Sequence, residues 1–395
     1  MRGATQLRSP EFMNGKDLSV GHRFLGGLLR WSLLVSIGIG LTPISFAVSG
    51  QNSSQDPQPT SQAHVALNPQ QIADLTANAN AGDASAQLRL GQAYRNGDGV
   101  RKNEELAYQW VRKAAEQGNA AAENDLGTMY RLGEGISLNK EEAVRWYQKS
   151  ARHGSAEGMF NLGTCHYNGD GVGSNEYTAY VWFLLAKEAG DAVADEAVKR
   201  SAATMTKNDN GDAYLKIAEM YGKGEEIPKD DPRRLQWLRK AADLGPAGKV
   251  LLAGQLIRDS ASNYPEAMQL CKAAAGNYPP AQRCVGYLYR HGLGVTKDPA
   301  EAVKWYRKAA GADQTSTLEL AEMYAAGEGT KTDRIEAFMM YFDAGMMRAK
   351  GAFPKAFALW QQMDNAERKK VEGKLKERHL DPKKVIALLQ EPPKN

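Results

Sequence analysis

A period of 36 residues constrains this chain more than any other feature. Trp110, Trp146 and Trp182 stand 36 apart, and so do Gly82, Gly118, Gly154 and Gly190. The pairs Leu90-Gly91, Leu126-Gly127 and Leu162-Gly163 keep the same step. Three kinds of marker in one phase mean a repeated unit. A unit this short cannot bury its apolar face alone, so copies must stack.

The first half of the unit reads Ala86, Leu90, Gly91, Tyr94. Ala, Leu and Tyr at i, i+4 and i+8 form one stripe of a helix. Gly91 weakens that helix, which predicts that a second helix crosses there and needs the space. The turn Gly97-Asp98-Gly99-Val100 follows, with glycines able to adopt positive φ and redirect the chain. The second half opens at Asn103 and runs through Ala107, Trp110, Ala114 and Ala115 to Gly118. Asn139, Asn175, Asp298 and Asp333 hold the same helix-start position and suit an N-cap. Asn139-x-x-Glu142 and Asp298-Pro299-x-Glu301 add the spacing of a capping box. The tryptophans, at helical spacing beside alanines, read as core.

Further copies recur with altered spacing around Ala213 to Gly245, Ala281 to Gly311 and Leu320 to Gly345. A degenerate one, Ala247 to Gly276, lacks the glycine turn. The expected organisation is an amino-terminal arm with a signal or anchor at 1–49, a disordered linker at 50–68, a first repeat block at 69–189, an irregular helical junction at 190–210, a second repeat block at 211–345, and capping helices with a tail at 346–395. Residues 1–12 read as a remnant of cloning, with Met13 as the natural start. Arg23 and Arg30 precede the apolar stretch Trp31 to Leu41, then Pro43 and small residues. That suits a cleavable signal peptide and a periplasmic protein. A retained inner-membrane anchor facing the periplasm is the alternative, although a spanning helix needs about 20 apolar residues. Residues 51–68 are rich in Gln, Ser, Pro and Asn, the composition of a tether.

The pattern A-x-x-x-L-G-x-x-Y-x-x-G-x-G-V, then A-x-x-W-x-x-K-A-A-x-x-G, closely resembles the Sel1-like repeat, a relative of the tetratricopeptide repeat. The match is strongest in Ala86–Gly118, Ala122–Gly154 and Ala281–Gly311. His166 departs from it where Tyr is expected, as do Leu270 and Met340 where Trp is. The resemblance implies an all-α fold, a right-handed α/α superhelical solenoid. It also implies a non-catalytic scaffold or adaptor binding proteins of the bacterial envelope, with exopolysaccharide secretion and signalling control among the relatives' roles. The family has no shared active site, so its motif residues carry over as packing residues only.

Two positions on each first helix point away from the second: Gln92 and Arg95, Thr128 and Arg131, Thr164 and Tyr167, Tyr287 and Arg290. Arginine and tyrosine suit recognition. The row is expected to line the concave face and grip an acidic or extended partner, or else each arginine merely complements its own helix end. Direct contact with an anionic surface polysaccharide is a second reading. Net charge is only +4, so neither nucleic acid nor a lipid surface is demanded, and membrane contact is expected only through an uncleaved amino terminus. Cys271 and Cys284 fall on neighbouring helices and can pair in an oxidising compartment, or stay as buried thiols. Cys165 has no evident mate. No metal or cofactor motif occurs. A beta-lactamase-like hydrolase is disfavoured by the lack of S-x-x-K and of regular cysteine pairs.

Overall fold

The computed structural model describes residues 66–390. Among them are nineteen α-helices and no strand. A leading helix α1 (Pro69–Asn80) is followed by three pairs: α2 and α3 (Ala84–Asn96, Glu104–Glu116), α4 and α5 (Ala120–Leu132, Lys140–Arg152), α6 and α7 (Ala156–Asn168, Glu176–Glu188). A short α8 (Ala194–Ala202) interrupts the series. Four pairs follow: α9 and α10 (Lys207–Lys223, Asp231–Leu244), α11 and α12 (Pro246–Asp259, Tyr264–Ala274), α13 and α14 (Pro299–Ala309 being the second, Pro279–His291 the first), α15 and α16 (Gln314–Ala326, Arg334–Met346). The end is closed by α17 (Ala352–Gln362), α18 (Asn365–Glu377) and α19 (Pro382–Gln390). Within both blocks each helix packs on its neighbours in sequence, which makes the fold an α/α solenoid, while at the junction α9 reaches back past α8 to α7.

The apolar segment at 31–50 lies outside the described residues, as does most of the tether. Leu67 and Asn68, expected within the tether, are fixed instead. The Leu67 N–H donates to Asp98 Oδ1 at 2.9 Å, and Asn68 caps α1 with a complete capping box. The cause is that α1 packs on α2 as α3 packs on α4, in the place of a preceding second helix.

The second helices start where their caps lie. Asn103, Asn139, Asn175 and Asp298 each accept a backbone N–H three residues on. The boxes expected at Asn139 and Asp298 are only half formed. Glu142 turns outward to Arg145 at 2.9 Å and Glu301 to Lys304 at 2.8 Å, so neither returns to its cap. The caps are tied back to the first helix as well. The Asn139 N–H donates to the Tyr130 carbonyl at 2.8 Å, and the Asp298 N–H to the Tyr289 carbonyl at 2.9 Å. His166 replaces tyrosine without loss of this bond, because only its carbonyl takes part, accepting from Asn175 at 2.8 Å.

Glycine acts at two kinds of joint. Within a unit, a Cβ on Gly127 would lie 2.7 Å from the Tyr147 ring, and one on Gly91 2.6 Å from Val111 Cγ2. The second helix does cross at this glycine. Between units, Gly135 has φ +68° and rests on the Glu104 carbonyl, the first residue of the preceding unit's second helix. Gly171 meets Lys140 and Gly329 meets Pro299 in the same way.

One continuous core runs from Ala143 to Leu288, across the junction. Its centre is α7, where every residue from Ala179 to Ala186 is buried. A helix apolar on all sides must be covered on all sides, and α6, α8 and α9 cover this one. Glu188 at its end accepts from the Tyr221 hydroxyl at 2.6 Å and from Trp237 Nε1 at 2.9 Å, which clamps α9 and α10 to the first block. Cys271 and Cys284 form a disulfide between α12 and α13, and both are fully buried.

Trp146, Trp182 and Trp237 are buried, whereas Trp110 and Trp305 are half-buried. A lysine one turn on covers the exposed ring face: Lys113 over Trp110 at 4.0 Å, Lys149 over Trp146 at 3.6 Å, Lys308 over Trp305 at 4.0 Å. This cation–π contact explains the W-x-x-K spacing.

The joints yield a direct comparison. Gly82 and Gly135 both have positive φ, but a Cβ at Gly82 would meet nothing. Gly82→Ala is expected to cost about 1–2 kcal/mol for the left-handed backbone alone. Gly135→Ala is expected to cost about 1–3 kcal/mol more, since the clash is with backbone that cannot repack. Urea midpoints of the two variants check this; equal shifts would mean the inter-unit contact is not tight.

Candidate interaction surface

The first helices line the inner side of the solenoid. α4 packs directly on α6 and α11 on α13, whereas no comparable contact joins the second helices α3 to α5 or α5 to α7. Side chains on this inner side meet across units. Gln92 Nε2 donates to Asp125 Oδ2 at 2.7 Å, and Asn161 Nδ2 to Asn124 Oδ1 at 2.8 Å. Burial pushes the Asp125 carboxyl above its usual range, opposed by the Gln92 bond.

The arginines of the expected row are committed to different degrees. Arg95 pairs with Glu134 in the glycine turn of the next unit, Nε to Oε2 at 2.7 Å. Arg290 repeats this geometry one block later: Nη2 lies 2.7 Å from Glu328 Oε2, and Nη1 contacts Glu319. Burial disfavours the Arg290 charge, yet the two carboxylates hold its pKa above the ordinary value. The hydrogen bond from Arg290 holds Glu328 below the usual carboxyl range. Burial pushes Glu319 up, against the pull of Arg290. Arg131 differs, donating from Nε to the Tyr147 hydroxyl at 3.3 Å. Arg95 and Arg290 thus bridge unit to unit, and do more than complement the ends of their own helices.

The remaining positions separate by their neighbours. The Thr128 hydroxyl shares the Tyr147 hydroxyl at 3.1 Å. Thr164, its counterpart one unit on, donates to the Phe160 carbonyl at 3.0 Å. Its second-helix neighbour is Phe183, which has no hydroxyl to offer. Thr164 and Tyr167 then border a narrow cleft of about 20 Å³, room for about one water molecule, closed on its far side by Ala197, Arg200 and Ser201 of α8. Tyr287 stacks on His291, centroids 4.3 Å apart, away from that cleft's helices. The structure therefore brings Thr164 and Tyr167 to one cleft and distributes the other six along the inner side. Arg200 and Ser201 escaped the sequence pattern because α8 falls outside the period, whereas Phe183 of α7 lies within it. The one signal for them is that Phe183 stands in register with Tyr147. Among the described residues no group of three or more His, Cys, Asp or Glu could hold a metal ion, and no helix is long and apolar enough to cross a membrane.

Arg290 and Arg95 differ in how much stability their removal is expected to cost. Arg290→Ala is expected to lower stability by about 2 kcal/mol, since it strands two half-buried carboxylates. Arg95→Ala, which releases a single carboxylate from a more exposed guanidinium, is expected to cost no more than about 1 kcal/mol. Thermal unfolding of each variant checks the order. Since the Arg290 bond lowers the Glu328 pKa, its contribution is present above the ordinary carboxyl value and fades as pH falls through the lower folded value.

A family model described as Sel1 repeat matches residues 84–119, 120–155, 156–191, 211–246, 279–313 and 316–344, more than half of the chain. Among solved structures, the chain is similar to a protective antigen of uropathogenic Escherichia coli displaying an SLR fold, at 25% identity over 82% of this chain and 75% of that one, TM-score 0.40. It is also similar to a Sel1 repeat protein from Oxalobacter formigenes, at 25% identity over 75% of this chain and 80% of that one, TM-score 0.36. None of the curated proteins matches the chain.

Proposed function

Because the chain belongs to the Sel1 repeat family, whose members are generally protein-interaction scaffolds, we propose that it is a non-catalytic adaptor of the bacterial cell envelope, holding a protein partner along its inner side. The observation that carries this reading is the inner side itself. It is a row of seven first helices in two blocks, with polar side chains bonded to one another between units. A surface so fixed loses little entropy on binding. An extra-cytoplasmic setting draws support from the charge-free stretch at 31–50 and from the buried disulfide, since such bonds persist in oxidising compartments.

An anionic polysaccharide as direct ligand draws less support. Arg95 and Arg290, two of the three arginines that would attract it, already face carboxylates.

Photo-crosslinking groups placed singly at Thr128 and Tyr287 on first helices, and at Gln109 and Arg145 on the outer helices, test the reading in envelope extract. Protein adducts are expected from the inner positions only, and they should survive polysaccharide-degrading enzymes. Equal adducts from the outer positions, or adducts removed by those enzymes, would reject it. The setting is checked by intact mass of the exported protein without reductant. One disulfide is expected, with the Cys165 thiol reacting only after denaturation.

A further inference from the structure

The units use their inner arginines differently, and the second unit, α4 with α5, stands apart. Arg95 and Arg290 each reach the carboxylate between the two turn glycines of the next unit, Glu134 and Glu328, both at 2.7 Å. The residue in register for Arg131 is Asp170, between Gly169 and Gly171. Asp170 instead lies 2.6 Å from Lys140 Nζ. Two features of the sequence account for this. Aspartate is one methylene shorter than the glutamates that reach Arg95 and Arg290. Lys140 is also the first residue of α5, a position held by Glu104 in α3 and Pro299 in α14, so neither of the other bridges meets a competing cation there. Arg131 is half-buried, bonded through Nε to the Tyr147 hydroxyl, and has no ion pair among the described residues.

The same turn departs in a second way. Four large apolar side chains are exposed among the described residues, and two of them, Leu132 at 44% and Leu138 at 59%, flank the glycine turn of this unit. The bond from the Asn139 N–H to the Tyr130 carbonyl brings Leu138 back against the end of α4, where a Cβ on Gly133 would lie 3.4 Å from its own. The fold does not ask for leucine at either place. The same two positions hold Asn96 and Lys102 in the first unit, Asn168 and Ser174 in the third, and His291 and Lys297 in the unit of α13 and α14. Single apolar residues on a surface are ordinary, but a pair beside an arginine that lacks a counter-charge has the composition of a contact site.

We propose that the end of α4 and its turn dock a peptide segment of the partner in which a carboxylate lies beside aliphatic side chains, the carboxylate pairing with Arg131 and the aliphatic groups covering Leu132 and Leu138. The proposal rests on the adaptor reading and states what that surface selects. Charge fixes the first requirement. A guanidinium already oriented by Tyr147 presents its remaining donors as a fork for a carboxylate. Apolar area fixes the second, since two exposed leucines gain nothing from a purely charged ligand. An anionic polysaccharide supplies charge without apolar cover and meets only half of the site. The contacts are few, so this spot adds selectivity to a longer interface and binds a short peptide weakly by itself.

NMR titration of the full chain with a short peptide tests this. The probe is the capped hexapeptide Ser-Leu-Leu-Asp-Asp-Ser, and two controls replace both leucines by glycine or both aspartates by asparagine. Affinity is read from broadening of the peptide's own signals, and the contact from isotope-labelled leucine methyl groups of the protein. The methyl signals of Leu132 and Leu138 are expected to shift with the probe, and the glycine control to bind about tenfold more weakly. Arg131→Gln should weaken the probe by about two- to fivefold and leave the asparagine control unaffected, the size expected of an exposed ion pair. Lys140→Gln combined with Asp170→Glu gives Arg131 the counter-charge that Arg95 and Arg290 have, and should act alike with Arg131 in place. Leu132→Asn with Leu138→Ser, side chains that the third unit carries there, should reduce the probe to the level of the glycine control with an unchanged thermal midpoint. Equal affinity for the three peptides, no binding of the probe at millimolar concentration, or shifts confined to other leucines would overturn the docking spot. If crosslinks from Thr128 and Tyr287 form as expected while the titration is negative, the adaptor stands and this spot alone falls.

Discussion

The whole structure depends on close approach at glycine, mainly to side chains within a unit and to backbone between units. Within a unit, a glycine on the first helix lets the second cross so closely that a methyl group would strike it, as at Gly127 against Tyr147. Between units, the second glycine of the turn rests on a carbonyl at the start of the preceding second helix, as Gly135 does on Glu104. These contacts set the spacing of every later element. Short helices of about thirteen residues have little stability of their own in water. They persist here because close approach lets Ala107, Ala114, Ala122 and Leu126 share one buried seam. A solenoid of this kind has only nearest-neighbour terms, so each joint matters locally and none is redundant.

What was legible in the chain followed that division between local and distant. Caps, turn glycines and the seam residues were legible, because each answers a demand of its own helix or of the helix beside it in sequence. The period then carried them across the chain. The ion pairs were not read from the sequence, since Arg95 meets Glu134 and Arg290 meets Glu328, each in the following unit's turn. The period contains that information, but only when a residue is compared with the next copy and not with its own. The lysine lids on the tryptophans lay in plain view one turn along the helix. They were passed over because they cover ring faces that a core assignment had already closed. The half-formed boxes show a limit of spacing rules: Glu142 and Glu301 each had a closer cation to choose.

The third unit was the least legible part and is the most distinctive. Its second helix lost polar character because α8 and α9 cover sides that α5 leaves exposed. Burial on all sides favours phenylalanine over tyrosine at 183, since a hydroxyl there would need a partner. The same change leaves Thr164 with a phenylalanine where Thr128 has a tyrosine hydroxyl.

The insertion of α8 between the two blocks determines how they relate mechanically. A linker between blocks would leave them free to move, and a partner spanning both would have to order them on binding. Here the core passes through the junction unbroken, and Glu188 is bonded at once to Tyr221 of α9 and Trp237 of α10. The clamp takes the place of the glycine joint that the period would otherwise have supplied. Two carboxylate oxygens satisfying a phenol and an indole hold three helices in one geometry, and removing them would leave two buried donors unpaired. The inner sides of both blocks therefore form one fixed surface, on which the distances between side chains are set before any partner arrives. In the proposed adaptor role, that prior fixing is what the framework contributes.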